Sequence, residues 1–207
     1  MSLLLLTVLI STVTAVVLTI SITLLPDKWR NRSKFIFFIT ESIPDIFFVV
    51  VVQALVIWFY KKTDVLLFSV VSGYEEQALT IPLITLCILP TFFIARILTL
   101  RFNEERIEEY VQFAVSKGLR KSEVIIKHIL PNTLVNLFSQ SKFIVWFVLS
   151  NLVMVEYIFN IHGITAFIIR FSSPEVFTLC VILIFVPLYI IILIFQKLLH
   201  FWVGDQI

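Results

Sequence analysis

The sequence predicts an all-α, polytopic membrane protein: five transmembrane helices and one folded segment standing in water. Three observations predict it. Of the 207 residues, 59% are hydrophobic and only 14% charged, and the mean hydropathy is +1.03, far more apolar than a soluble domain. The apolar residues gather into five runs, each able to cross about 30 Å of hydrocarbon as a helix of about 20 residues. One long polar stretch, EEYVQFAVSKGLRKSEVIIKHILPN from Glu108 to Asn132, interrupts them with a helical period of its own.

The five runs cover residues 3–25, 35–60, 78–100, 134–159 and 175–196, and residues 1–207 read as one transmembrane domain. The first run has no basic flank and is too long for a signal-peptide core, so it reads as a retained helix. Pro90 and Pro187 lie inside the third and fifth runs, where each removes a backbone donor and invites a kink. Gly73, Gly118, Gly163 and Gly204 all fall between or after the runs, so helix packing relies on small residues other than a GxxxG pair. Cys87 and Cys180 sit in apolar surroundings without a CxxC spacing and read as small buried hydrophobes.

Orientation follows from lysine and arginine, which are retained on the cytoplasmic side. The connection PDKWRNRSK carries Lys28, Arg30, Arg32 and Lys34, and the long polar stretch with its flanks carries Arg96, Arg101, Arg106, Lys117, Arg120, Lys121 and Lys127. The opposite side has Lys61, Lys62 and Arg170. The N-terminus is therefore expected outside and the C-terminus in the cytoplasm. A net charge of +2 without a basic, aromatic surface argues against a nucleic-acid partner.

Within the polar stretch, Ile107, Tyr110, Val111, Ala114 and Val115 recur at helical spacing, with Glu104, Glu105, Glu108, Glu109 and Gln112 on other faces. This pattern predicts an amphipathic helix, 103–117, capped by Asn103 and carrying acidic first turns that suit a helix N-terminus. Gly118 is its expected stop. A short second helix is expected with Ser122 as cap, Glu123 in its first turn, and Val124, Ile125, Ile126 and Ile129 as an apolar surface. It should stop at Leu130, because a residue before proline favours extended geometry, and Pro131 should open the fourth membrane helix. Two readings of the segment 103–131 stay open: a rigid knob offered to a partner, or a loop lying on lipid headgroups.

Charges within membrane helices are costly and mark functional positions. The candidates for a translocation path are Glu41 and Asp45 beside Pro44, the deeper Gln53, Lys142 about two turns into the fourth run, and Glu156 near its outer end. Lys142 either pairs with Asp45 or Glu41 near an inner gate or snorkels to the headgroups. Glu156 either bounds the outer mouth or, the favoured reading, braces the following NIHGI turn. His128 and His162 have no partner ligands at metal-binding spacing and read as structural. No H-E-x-x-H run or intramembrane Ser/His pair points to a membrane enzyme.

The polar stretch resembles the signature loop of permease subunits of ABC importers, E-A-A-x3-G-x9-I-x-L-P. Ala114 stands at its third position, Gly118 at the glycine and Leu130-Pro131 at the closing pair, while Gln112, Phe113 and His128 differ at the first, second and isoleucine positions. The wider wording EEYVQFAVSKGL…IIKHILPN resembles the dipeptide and oligopeptide branch. So do SIPDIF, Ser42 to Phe47, as the start of a membrane helix, and VEYIFNIHGI, Val155 to Ile164, with His162 and Ile164 in place of proline and leucine. That branch usually carries a further N-terminal membrane helix, so this chain reads either as a compact member or as a truncated form.

The resemblance implies a type I ABC importer permease fold, with the short helix near Arg120–Ile129 as the coupling helix seated in a groove of a cytoplasmic ATPase. Contact is then expected from Ala114, Gly118, Leu119, Arg120, Lys121, Glu123, Val124, Ile125, Lys127, His128, Leu130 and Pro131, with Val124, Ile125 and Ile129 giving its apolar face. It also implies a second, homologous permease subunit, two ATPase subunits that bind ATP and Mg, and an extracellular substrate-binding protein. The chain has no G-x-x-x-x-G-K-[ST] sequence, so it is expected to bind no cofactor and to leave ATP chemistry to its partner. Short peptides are the expected cargo. An amino-acid-type importer subunit is the nearest alternative, and a channel or sensor subunit is the alternative from another class.

Overall fold

The computed structural model describes residues 2–65, 79–171 and 173–204. Gly73, and the side chains of Lys28, Arg30, Lys34, Glu41 and His200, lie outside the described residues. The described residues form ten α-helices and one π-helical turn: α1 Ser2–Leu24, α2 Asp27–Ser42, α3 Asp45–Thr63, α4 Thr80–Glu105, α5 Glu109–Ser116, α6 Lys121–Val124, the π turn Ile125–Ile129, α7 Leu130–Ser139, α8 Ser141–Ile158, α9 Ile164–Arg170 and α10 Pro174–Gly204. Among the described residues, five helices are long and apolar enough to cross a membrane, at Leu3–Leu24, Asp45–Thr63, Thr80–Glu105, Ser141–Ile158 and Pro174–Ile194. α9 is an extra helix in a connection where the sequence pattern predicts none.

Four expected runs change shape. The fifth, 175–196, runs on as α10 to Gly204, which closes the helix instead of following it. The second, 35–60, is split: α2 takes up the basic connection and ends at Ser42, Ile43 is extended at φ −94°, ψ 131°, and α3 starts after Pro44. Proline forces this break by disfavouring helical geometry in the residue before it. The fourth, 134–159, is split at Gln140, whose φ −96° and ψ 4° separate α7 from α8. The third does not stop at Leu100. α4 runs to Glu105, supported by an Arg101–Glu104 ion pair of 2.8 Å and by Asn103, whose Nδ2 donates to the Thr99 carbonyl at 2.8 Å. Asn103 is thus inside a helix rather than capping a new one. α4 and α10 both pass through their prolines, Pro90 and Pro187, without interruption.

α4 is the hub. Its first turns, with Ile81 and Leu86, join Leu4 of α1, Val148 and Val155 of α8, and Phe159 just beyond α8 in one buried cluster. Its middle, with Ile94, Ala95 and Leu98, joins Ala15 of α1, Phe37 of α2 and Leu137 of α7 in a second. Its last turn sends Phe102 into a third, built with α5, α6 and the π turn.

The α1–α4 seam uses small residues instead of glycine. Thr7, Ser11, Ala15, Thr19 and Thr23 recur every fourth residue and are all buried, which brings the backbones close. Ser11 Oγ donates to the Cys87 carbonyl at 3.3 Å, Thr19 Oγ1 to the Ala95 carbonyl at 3.4 Å, and the Thr14 and Thr91 hydroxyls meet at 3.0 Å. Cys87 and Cys180 are buried free thiols, as their apolar setting predicts. α3, in contrast, buries only Val49 and leaves most of its surface open.

Candidate functional site

The polar stretch folds as a knob on the C-terminal end of α4. Phe102 (1% exposed) is surrounded by Val111 and Ala114 of α5, Val124 of α6, and Ile125 and Ile129 of the π turn, with Leu119 and Leu130 packed against them. A segment lying loosely on headgroups would have no such core. The expected helix 103–117 is two pieces, because α4 continues to Glu105 and α5 begins after an extended Glu108, φ −62°, ψ 143°.

Gly118 lies at φ +77°, with no atom within 4 Å of where a Cβ would stand. It is needed for the left-handed turn, not for room. The next helix begins with Arg120 rather than Ser122 at the cap position, extended at φ −65°, ψ 145°. It does not stop at Leu130 either. The chain stays helical from Lys121 through Pro131 to Ser139 by widening into the π turn at Ile125–Ile129. Pro131 has no N–H to donate and would crowd the preceding turn of an α-helix; a locally wider turn removes the need for a break.

That π turn also corrects the expected contact face. Val124, Ile125 and Ile129 are 4%, 2% and 1% exposed and face this chain's own core, so they give no surface to a partner. Ile126, outside the expected contact set, points outward together with Phe113 and Val115. Arg120, Lys121 and Lys127 are exposed, Glu123 and His128 half-buried, and Ala114 buried. Glu123 Oε1 meets Lys127 Nζ at 2.7 Å, and this bond and its charge hold the Glu123 carboxyl below the usual carboxylate range. Lys121 Nζ reaches the Leu24 carbonyl at 3.4 Å, so the knob grips the C-terminal end of α1, where a helix favours a cation.

A polar tie closes the knob. Tyr110 Oη donates to the Glu105 carboxylate and accepts from Asn132 Nδ2 at 2.9 Å, joining α4, α5 and α7. Burial pushes the phenol up to about 12, the Glu105 bond adding to the shift and the Asn132 bond opposing it. The helical spacing and the motif wording both include Tyr110, but neither gives it a polar role. The signal was present, since Tyr110 and Asn132 both stand in the motif wording.

Of the five candidates for a translocation path, the four whose side chains are described, Asp45, Gln53, Lys142 and Glu156, do not converge; the Glu41 side chain lies outside the described residues. Lys142 sits in the first turn of α8, not two turns into a helix, and lines a groove of about 460 Å³ with Trp146 of α8 and Tyr189 of α10. Asp45 opens α3, half-buried, and Gln53 is half-buried further along the same helix; among the described residues no ion pair joins Lys142 to Asp45. Glu156 is 7% exposed at the opposite end of α8 from Lys142. Its Oε2 accepts the Thr165 N–H at 2.9 Å, and a Cβ on Gly163 would stand 2.1 Å from its Oε1. Glu156 therefore braces the turn into α9.

The family described as "Binding-protein-dependent transport system inner membrane component" matches residues 8–205. The chain belongs to this family. The architecture of this permease component, all-helical among the described residues and with five membrane-length helices among them, is that of a type I ABC importer permease, in agreement with the resemblance carried by residues 112–131. A 104-residue stretch is also 36% identical to the "Dipeptide transport system permease protein DppB" of Haemophilus influenzae, covering 49% of this chain and 31% of that relative. The match thus spans under a third of the relative's length.

Proposed function

We propose that this permease component imports short peptides across the cell membrane, driven by a separate cytoplasmic ATPase that docks on the knob. The observation that carries the reading is the knob itself: a cluster with its own buried core, anchored by Phe102 on α4 and by Lys121 on α1. Such a unit moves as one body when pushed. Its outward side, with Arg120, Ile126 and Lys127, is the docking face, while Ala114, Gly118, Leu119, Leu130 and Pro131 shape the turns beneath it. By the lysine and arginine asymmetry the knob and the C-terminus lie in the cytoplasm and the N-terminus outside. The partners are two ATPase subunits carrying ATP and Mg, a second permease subunit and an extracellular binding protein. The peptide cargo rests on the motif wording and on the name of the dipeptide relative.

The test is reconstitution of the complex in vesicles with ATP inside. Arg120→Glu combined with Ile126→Asp is expected to lower peptide-stimulated ATP turnover about tenfold, a loss of about 1.4 kcal/mol in docking, with insertion unchanged. Full coupling in that variant would remove the docking face. Uptake of single amino acids in place of di- or tripeptides would move the chain to the amino-acid importers, and solute flux without any ATPase would make it a channel.

A further inference from the structure

A groove of about 680 Å³ runs between α1 and α2, floored by α4. Its walls are apolar: Val13, Val17 and Ile22 of α1, Ile36 and Phe37 of α2, and Phe92 of α4. Among the described lining residues the one charged side chain is Arg32, at the end where α1 turns into α2. The Arg32 guanidinium lies 5.1 Å from the centroid of the half-exposed Trp29 ring. Lys121 of the knob reaches the same corner through the Leu24 carbonyl.

Length decides what fits. From Val13 to Leu25 the groove follows α1 for about 18 Å, close to half of a hydrocarbon layer of about 30 Å. A partner's transmembrane helix would need a surface spanning both leaflets. An acyl chain belongs to one leaflet, and an arginine and tryptophan at the water-facing end of an apolar slot suit a headgroup phosphate. We propose that this groove holds one anionic phospholipid, its acyl chain between α1 and α2 and its phosphate on Arg32. The lipid fills the corner against which Lys121 anchors the knob, so its occupancy bears on how firmly the knob is held. Neither the ATPase docking face nor the cargo enters this inference.

The full chain, purified in mild detergent with whatever subunits accompany it, is titrated with phosphatidylglycerol and separately with phosphatidylcholine, and bound lipid is counted by native mass spectrometry. One phosphatidylglycerol per chain is expected, retained at least about fivefold better than phosphatidylcholine. Arg32→Gln, at an exposed position, should abolish that preference, and Val17→Trp should lower retention of both lipids by obstructing the slot. Equal retention of the two lipids by the unaltered chain, or a preference untouched by both substitutions, overturns the proposal. So does a Val17→Cys chain that crosslinks to a polypeptide rather than to a lipid-borne probe.

Discussion

Two turns, at opposite ends of the helix bundle, each depend on a glycine, and for opposite reasons. At Gly118 the backbone is left-handed and the space around it is empty; at Gly163 the backbone, φ −97°, is ordinary and the space is filled by a buried carboxylate. The knob turn is therefore specified by conformation and the far turn by packing. A glycine between helices does not announce which of the two it serves, and only the neighbours decide.

The sharpest way to break this contrast is Gly163→Ala. The added methyl group must displace the Glu156 carboxylate and sever its bond to Thr165, at an expected cost of about 2–3 kcal/mol, read as a lower melting temperature in nanodiscs. In a Glu156→Ala background the same substitution should cost much less. Additive losses would sink the packing account. Gly118→Ala should cost less, about 1–2 kcal/mol, through the left-handed φ alone, and Gly118→Asn should recover part of it because asparagine tolerates that region. Asparagine performing no better than alanine would mean that room matters there after all.

A smaller effect is expected at the tie that holds the knob. Tyr110→Phe should cost about 1 kcal/mol and speed amide exchange across residues 109–132, with the far turn unaffected. The phenol's folded value, about 12, lies above its ordinary 10; the tie's contribution is thus complete below pH 10 and lost as pH rises through about 12. Near-ultraviolet dichroism of the unaltered chain should change in that window, and the Tyr110→Phe chain should lack that step. Least of all, Lys127→Ala removes the exposed partner of Glu123. Because the Glu123 carboxyl is held low, the pair contributes above the ordinary glutamate range and fades as pH falls through the folded value. No measurable change in melting temperature is expected, and a drop rivalling that of Tyr110→Phe would show the knob to depend on its surface charges.

The same contrast explains what could be read from residues alone. Apolar runs expose membrane helices because length and composition suffice to cross a bilayer, and Gly118 announced its turn because glycine is the best residue for a left-handed stop. The break at Ile43–Pro44 was also written in the chain, but an apolar window passes over a single proline. Gln140 carries no such mark, and its break arises where α7 and α8 take separate packing against α4. The inward face of Val124, Ile125 and Ile129 stayed hidden for another reason: the π turn changes the number of residues per turn, so a period of 3.6 cannot tell these residues from Ile126. The Thr7, Ser11, Ala15, Thr19, Thr23 ladder is legible in the chain as well, because small residues at every fourth position mark a close helix contact without any glycine.

α4 touches every buried cluster, and its 26 residues make a rod of about 39 Å. A tilt of about 5° at Phe102 would swing the Thr80 end by about 3 Å, by simple trigonometry on that length. Work done on one face of the membrane thus has a mechanical route to the other through a single lever arm.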